Sequence, residues 1–221
     1  MSNIKNMNII FQHLKNDLKQ YNDPVLSKKK LKINRTPFIT LISCILSLRT
    51  KDEITEQASY RLLQNYDTPQ KILKLPEKKI MELIYPVGFY KTKSKRIKEI
   101  SKTLIDEYSG KVPDNLDELL KLKGVGRKTA NIVMVYGFHK NNYLPIDTHC
   151  HRIPNRIGWI KTKTPEETEK ELLKIMPTKY WNDFNNIFVK FGQSICLPIS
   201  PLCSKCPIEK YCKKINVKKH R

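Results

Sequence analysis

No stretch of this 221-residue chain approaches the ~18 apolar residues that span a bilayer. The longest apolar run, Phe38 to Leu48, is interrupted by Thr40, Ser43, Cys44 and Ser47. The N-terminus, MSNIKNMNIIFQHLKNDLKQY, lacks the long apolar core and small-residue cleavage site of a secretory signal. No membrane partner is expected, and an intracellular location (cytoplasm or nucleoid) is. No alternation of apolar and polar residues marks a strand, and there is no repeat or low-complexity tract. Acidic residues are scarce: 21 Asp and Glu face 42 Lys and Arg, a net charge of +21. So large an excess repels itself in a compact fold, and its natural counterweight is a polyanion. Nucleic acid fits best. An anionic membrane surface, a ribosome or a merely soluble basic surface are the weaker alternatives.

What is present is helical patterning. Ile9, Ile10, Leu14 and Leu18 recur at helical spacing. A basic stretch from Ser27 to Arg35 reads as a solvated linker. Pro37 suits a helix first turn, and FITLISCILSL is apolar nearly all round, as a central buried helix is. Further helices are expected over 52–65 and 69–84, the latter broken by Pro76. After a turn at Pro86–Tyr90 come helices from about Lys93 to Tyr108 and from Leu116 to Leu122. Others follow over Arg127–Phe138, from Asp147, and over about 165–175 and 180–194. The fold class is all-α.

Four of the six cysteines, Cys196, Cys203, Cys206 and Cys212, are spaced C-x6-C-x2-C-x5-C. In a reducing compartment this does not suggest disulfides. The tail has few apolar residues, and a ligated metal would stand in for a core. Zinc sites favour two close C-x2-C pairs, and only one is present. The uneven spacing suits four thiolates around one cubane cluster better, with zinc as the alternative. Lys205, Lys210, Lys213 and Lys214 around the loop suit phosphate contacts or compensation of a cluster's negative charge, with a solvated basic tail from Lys213 onward as the alternative.

The second constellation is LKGVGRKTANIVM, from Leu122 to Met134. Gly124 and Gly126 permit positive φ and close approach of another backbone. Amides at the start of the following helix, with Arg127, would form an anion site for a DNA phosphate. A plain helix–turn–helix corner explains the glycines about as well. Lys128 lies in the first helical turn, where the macrodipole disfavours a cation and a free amine would be nucleophilic, though taken alone it reads as one more surface lysine among many. Asp147, in PIDTHCHRI, reads as a helix N-cap and as a carboxylate that would stabilise positive charge at a reacting sugar. Spacing does not bring Lys128 to Asp147.

LKGVGRKTAN, IDTHCHRIPNRIG and FGQSICLPISPLCSKCPIEKYC together closely resemble the endonuclease III family of helix-hairpin-helix DNA glycosylases. ILSLRTKDE and VGFYKTKSKRI resemble further family segments, so the likeness runs from about residue 9 to residue 212. It implies a two-lobed fold: a central helical barrel, residues 29–139, ending in the hairpin, and an iron–sulfur domain of residues 1–28 with 140–221. It implies a [4Fe–4S] cluster on Cys196, Cys203, Cys206 and Cys212, Lys128 as nucleophile and Asp147 as catalytic aspartate. The implied partner is double-stranded DNA carrying damaged bases or abasic sites, bound by a monomer. The implied activity is excision of oxidised pyrimidines through a lysine Schiff base, with strand cleavage by β-elimination.

The chain departs from the family pattern at two places, and a third position, Phe89, keeps it. Lys123 precedes the first hairpin glycine, where relatives usually carry proline. Leu48 and Arg49 stand where relatives commonly carry a glutamine that enters the gap left by the flipped base, which makes Arg49 the candidate filler. Phe89 falls where relatives place an apolar wedge, with core packing as its alternative. A monofunctional mismatch glycosylase and a non-catalytic DNA-binding module are the competing functions.

Overall fold

The computed structural model describes residues 2–21 and 35–221, with side chains from residue 6 onward. The basic stretch from Ser27 lies, apart from Arg35, outside the described residues. Every regular element among them is helical, as the patterning requires. By its internal contacts the chain divides into two units, Val25–Lys140, and Met1–Pro24 together with Asn141–Arg221.

Helix α1, Ser2–Asp17, buries Met7, Ile10, Phe11 and Leu14 on one stripe, continued by Leu18 in a following 3-10 turn. In the Val25–Lys140 unit the centre is α2, Pro37–Ser47, buried at every position from Phe38 to Leu46. Its start is doubly specified: the Thr36 hydroxyl accepts from the Ile39 amide (3.2 Å), and Pro37 occupies the first turn. Each large apolar side chain so buried contributes about 1.5–3 kcal/mol. Helix α3, Asp52–Leu63, packs against α2, and α4, Pro69–Leu73, and α5, Glu77–Ile84, follow it, separated at Pro76 as expected. Helix α6 runs Tyr90–Tyr108, three residues earlier than its periodicity suggests. Its cap position is Phe89, left-handed at φ 58, which offers none of the usual side-chain start signals. At its other end Ser109 and Gly110 are both left-handed, and the Gly110 amide closes on Leu104 O at 2.7 Å.

Helix α7, Leu116–Lys121, begins at Asn115, whose side chain accepts from the next two exposed amides. Helix α8 covers Arg127–Ile132 only; the expected continuation to Phe138 is a π-turn over Val133–Gly137. There Gly137 lies so close to Pro37 that an added Cβ would come within 2.9 Å of the Pro37 Cα.

The other unit adds α9, Thr148–Ile157; α10, Pro165–Ile175; and α11, Trp181–Ser194, to α1. Its core is aromatic. Phe11 stacks on Tyr180 with centroids 4.0 Å apart and meets Phe188 at 5.7 Å and Trp159 at 6.1 Å. Losing a ring such as Phe188 costs about 3–5 kcal/mol.

Candidate functional site

The hairpin between α7 and α8 is shaped by its two glycines in different ways. Gly124 is left-handed, φ 83, and an added Cβ would press on the Arg96 side chain at 3.3 Å. Gly126 has an ordinary extended backbone, φ −94 and ψ 174, and faces open space: nothing lies within 4 Å of an added Cβ. Between them Val125 is buried and pins the turn. Helix α8 is anchored by Thr129, Ala130, Asn131 and Ile132, leaving Arg127 and Lys128 exposed. Burial pushes the Cys44 thiol up to about 12 against the pull of Lys128 and Arg35, so the Lys128 charge is felt at α2. Lys123, at the position of the usual proline, pairs with Glu99 at 3.2 Å.

Two turns of the same unit bring Arg49 and Phe89 together. Both residues are left-handed, φ 52 and φ 58, and the Arg49 guanidinium lies 5.8 Å from the Phe89 ring centre. Phe89 is 62% exposed, so core packing does not account for it. The two line a cavity of about 360 Å³ together with Thr92, Lys93, Arg96 and the hairpin's Gly124. The structure therefore groups Arg49, Phe89 and Gly124. It also reveals Lys93, which composition hides among many lysines. Position 93 heads the buried stripe of Ile97, Ile100 and Leu104, and a lysine on such a stripe is the sequence signal that marks it.

Asp147 lies in the other unit, at the N-cap of α9. Its Oδ1 accepts from the His149 amide (2.9 Å) and the Cys150 amide (2.7 Å). The same helix reaches the cysteine loop. Arg152 donates to Cys196 O at 2.7 Å; Arg156 donates to Leu197 O at 2.7 Å and Pro198 O at 2.6 Å, and lies 3.5 Å from Cys196 Sγ. Arg156 is 8% exposed, on the buried face beside Ile153 and Ile157. Neither arginine stands out from the motif as a sequence.

Cys196, Cys203, Cys206 and Cys212 line one cavity of about 30 Å³, walled on its other sides by Ile153, Phe191 and Ile208. The loop is less detached from a core than its composition implies, since Ile208 is 1% exposed. Nor is the chain beyond Lys213 simply solvated. The Lys213 amide donates to Ile157 O, the Ile215 amide to Arg156 O, and the Arg221 amide to Pro201 O. Burial pushes Cys206 up to about 12, and the neighbouring cysteines add to it; Cys203 and Cys212 are also raised by burial. Four thiolates so placed repel one another unless a positively charged group shares them, so the donor set fits thiolate ligation. Among the described residues no three His, Cys, Asp or Glu side chains converge as ligands of one metal ion.

Residues 42–178 match the model of a family described as HhH-GPD superfamily base excision DNA repair protein. Endonuclease III of Thermotoga maritima is 52% identical over 176 residues, 80% of this chain and 82% of its own. The solved structure of a trapped covalent intermediate of endonuclease III with DNA superposes with a TM-score of 0.80. It is 30% identical and covers 95% of both chains. A thermostable thymine-DNA glycosylase superposes with a TM-score of 0.81 at 26% identity, over 95% of this chain and 96% of its own. The chain thus belongs to the HhH-GPD superfamily of base excision DNA repair proteins and, within it, to the endonuclease III family of DNA glycosylase/abasic-site lyases.

Proposed function

We propose that this glycosylase/lyase binds duplex DNA containing oxidised pyrimidines or abasic sites, and that Lys128 and Asp147 carry its chemistry. The observation that carries the reading is Lys128 itself: an exposed amine on the buried footing of α8, two residues after the open backbone of Gly126. The target nucleotide leaves the stack. The Lys128 amine attacks C1′; the C1′–N bond breaks and the base departs with the bonding pair and a proton. Asp147 stabilises the positive charge that builds on the sugar. Ring opening gives a protonated imine between Lys128 and C1′. Loss of a C2′ proton then expels the 3′ phosphate, cutting the strand, and water releases the enzyme. Gly124, Gly126 and Arg127 hold a backbone phosphate, while Arg49 and Phe89 occupy the space vacated by the flipped nucleotide.

Endonuclease III proteins generally carry a [4Fe–4S] cluster. Cys196, Cys203, Cys206 and Cys212 would hold it here, and when bound it supplies iron–thiolate bonds that cross-link the loop and a centre capable of one-electron exchange.

Borohydride reduces the imine to a stable amine, so the wild-type chain should become covalently attached to DNA containing an abasic site. Lys128→Ala should give no adduct. An equal adduct from the variant refutes the assignment. The likeness to a thymine-DNA glycosylase favours one second reading, a mismatch glycosylase without lyase activity. Base release with no strand cleavage would establish it instead.

A further inference from the structure

The buried cations Lys93 and Arg156 are unused by the steps above, and Lys93 is the one beside the duplex-facing turns. Lys93 is 6% exposed, and burial lowers it to about 8. Its ammonium donates to Leu46 O (2.8 Å), Leu48 O (2.5 Å) and Thr50 Oγ1 (3.1 Å). These acceptors are two carbonyls and a hydroxyl. A charge taken from water for neutral partners needs a reason in what it holds. Part of the reason is local: the acceptors lie at the C-terminal end of α2, where carbonyls lack helical partners and the dipole favours a cation.

The rest is geometric. Leu48 and Thr50 flank Arg49, whose left-handed backbone has no glycine to ease it and must be held from outside. The Thr50 hydroxyl that receives Lys93 also receives the Gly88 amide, at 3.1 Å. Gly88 is pressed against the same turn: a Cβ on it would lie 2.6 Å from Arg49 O. Phe89 follows, left-handed in its turn. One ammonium and one hydroxyl therefore join the loop after α2 to the loop before α6. The two side chains they present, Arg49 and Phe89, are exposed on the same cavity.

We infer that Lys93 is a positioning residue that locks the Leu48–Thr50 turn to the Gly88–Phe89 turn, so that Arg49 and Phe89 meet the duplex as one preformed unit. The inference rests on the function proposed above. Lys93 acts through those two residues and touches no reacting atom.

The test compares wild type with Lys93→Met, which keeps the apolar stem, in single-turnover cleavage and borohydride trapping at saturating enzyme. The substrates are an abasic site in a duplex and the same strand unpaired. A single strand has no stack to hold open, so the preformed unit has no task there. On duplex, the rate should fall about 10- to 100-fold, the order expected for misplacing a positioning group by an ångström. On the single strand it should stay within about twofold. In an Arg49→Ala background, Lys93→Met should cost less than about threefold more on duplex, because a residue acting through another is not additive with it. Equal losses on both substrates, full additivity, or an unchanged duplex rate would each overturn the inference. Should Lys93→Met not fold, Thr50→Ala removes the shared hydroxyl, leaves the lysine, and is read against the same outcomes. Wild type forming no adduct on either substrate overturns the function and the inference with it. Adducts by wild type on both, with equal losses in the variant, overturn the inference alone.

Discussion

Gly126→Ala should leave the protein folded and weaken its hold on DNA. The extended backbone at this position, φ −94 and ψ 174, is open to any residue, and an added Cβ meets nothing within 4 Å. Two small terms then oppose each other. Alanine restricts the unfolded chain, worth about 0.4–1 kcal/mol in favour of the fold. It is a poorer N-cap than glycine by a similar amount, on the order of 1 kcal/mol. The net change should fall within about 1 kcal/mol, or roughly 2–4 °C in melting temperature for a chain of this size. In the proposed complex, the open space beside Gly126 receives the phosphate. A methyl there would cost one hydrogen bond to a charged group, about 1.5–3 kcal/mol, or roughly 10- to 150-fold in Kd. Gly124→Ala, two residues away, should behave differently. Its φ of 83 and the 3.3 Å approach to Arg96 place about 1–2 kcal/mol of left-handed strain on the folded state itself. Thermal melts and fluorescence anisotropy on abasic-site duplex, at matched salt, separate the two. If Gly126→Ala binds as wild type does, no phosphate approaches Gly126 and the assignment of the hairpin is wrong.

Asp147→Asn keeps an oxygen for the His149 and Cys150 amides and should change stability by less than about 1 kcal/mol. Cleavage should slow about 10²- to 10³-fold; activity that falls only in step with stability would reduce Asp147 to a helix cap. Lys93 sits near 8 when folded against 10.5 ordinarily, so between those values the unfolded chain keeps a proton that the folded chain has released. Stability from this lysine therefore rises with pH across that window, and the melting-temperature gap between wild type and Lys93→Met should shift in favour of wild type. A flat or opposite trend would sink that account of its burial. Purified protein should contain about four irons per chain and absorb in the blue; Cys206→Ser should lose most of both, and stoichiometric zinc in wild type would rule out the cluster.

Much of the helical plan is legible in the sequence because single residues announce it. Thr36 and Pro37 open α2, an unbroken apolar run buries it, and Asp147 opens α9. The start of α6 escapes notice because a left-handed phenylalanine occupies the cap. The π-turn after α8 ends at Gly137, packed against Pro37 a hundred residues away in the chain, a contact that no local pattern contains. The site shows the same split. Motifs point to Lys128, Asp147 and the four cysteines, since each lies in a run of distinctive neighbours. Lys93 reads as one more lysine in KTKSK, because its acceptors lie 43 to 47 residues away. Arg156 escapes for the same reason, holding backbone carbonyls some forty residues on.

The aromatic packing of Phe11 against Tyr180, Trp159 and Phe188 has a consequence for how the protein is made. On the ribosome α1 emerges ahead of Trp159, Tyr180 and Phe188, which come only after more than half of the chain has followed. Until then Met7, Ile10, Phe11 and Leu14 have nothing to pack on, and the loop closure that finally buries them is among the longest the chain offers. The intervening Val25–Lys140 segment, a compact unit in its own right, is complete in the chain before those rings are made. The nascent chain therefore carries the apolar stripe of α1 without its aromatic partners through most of its synthesis.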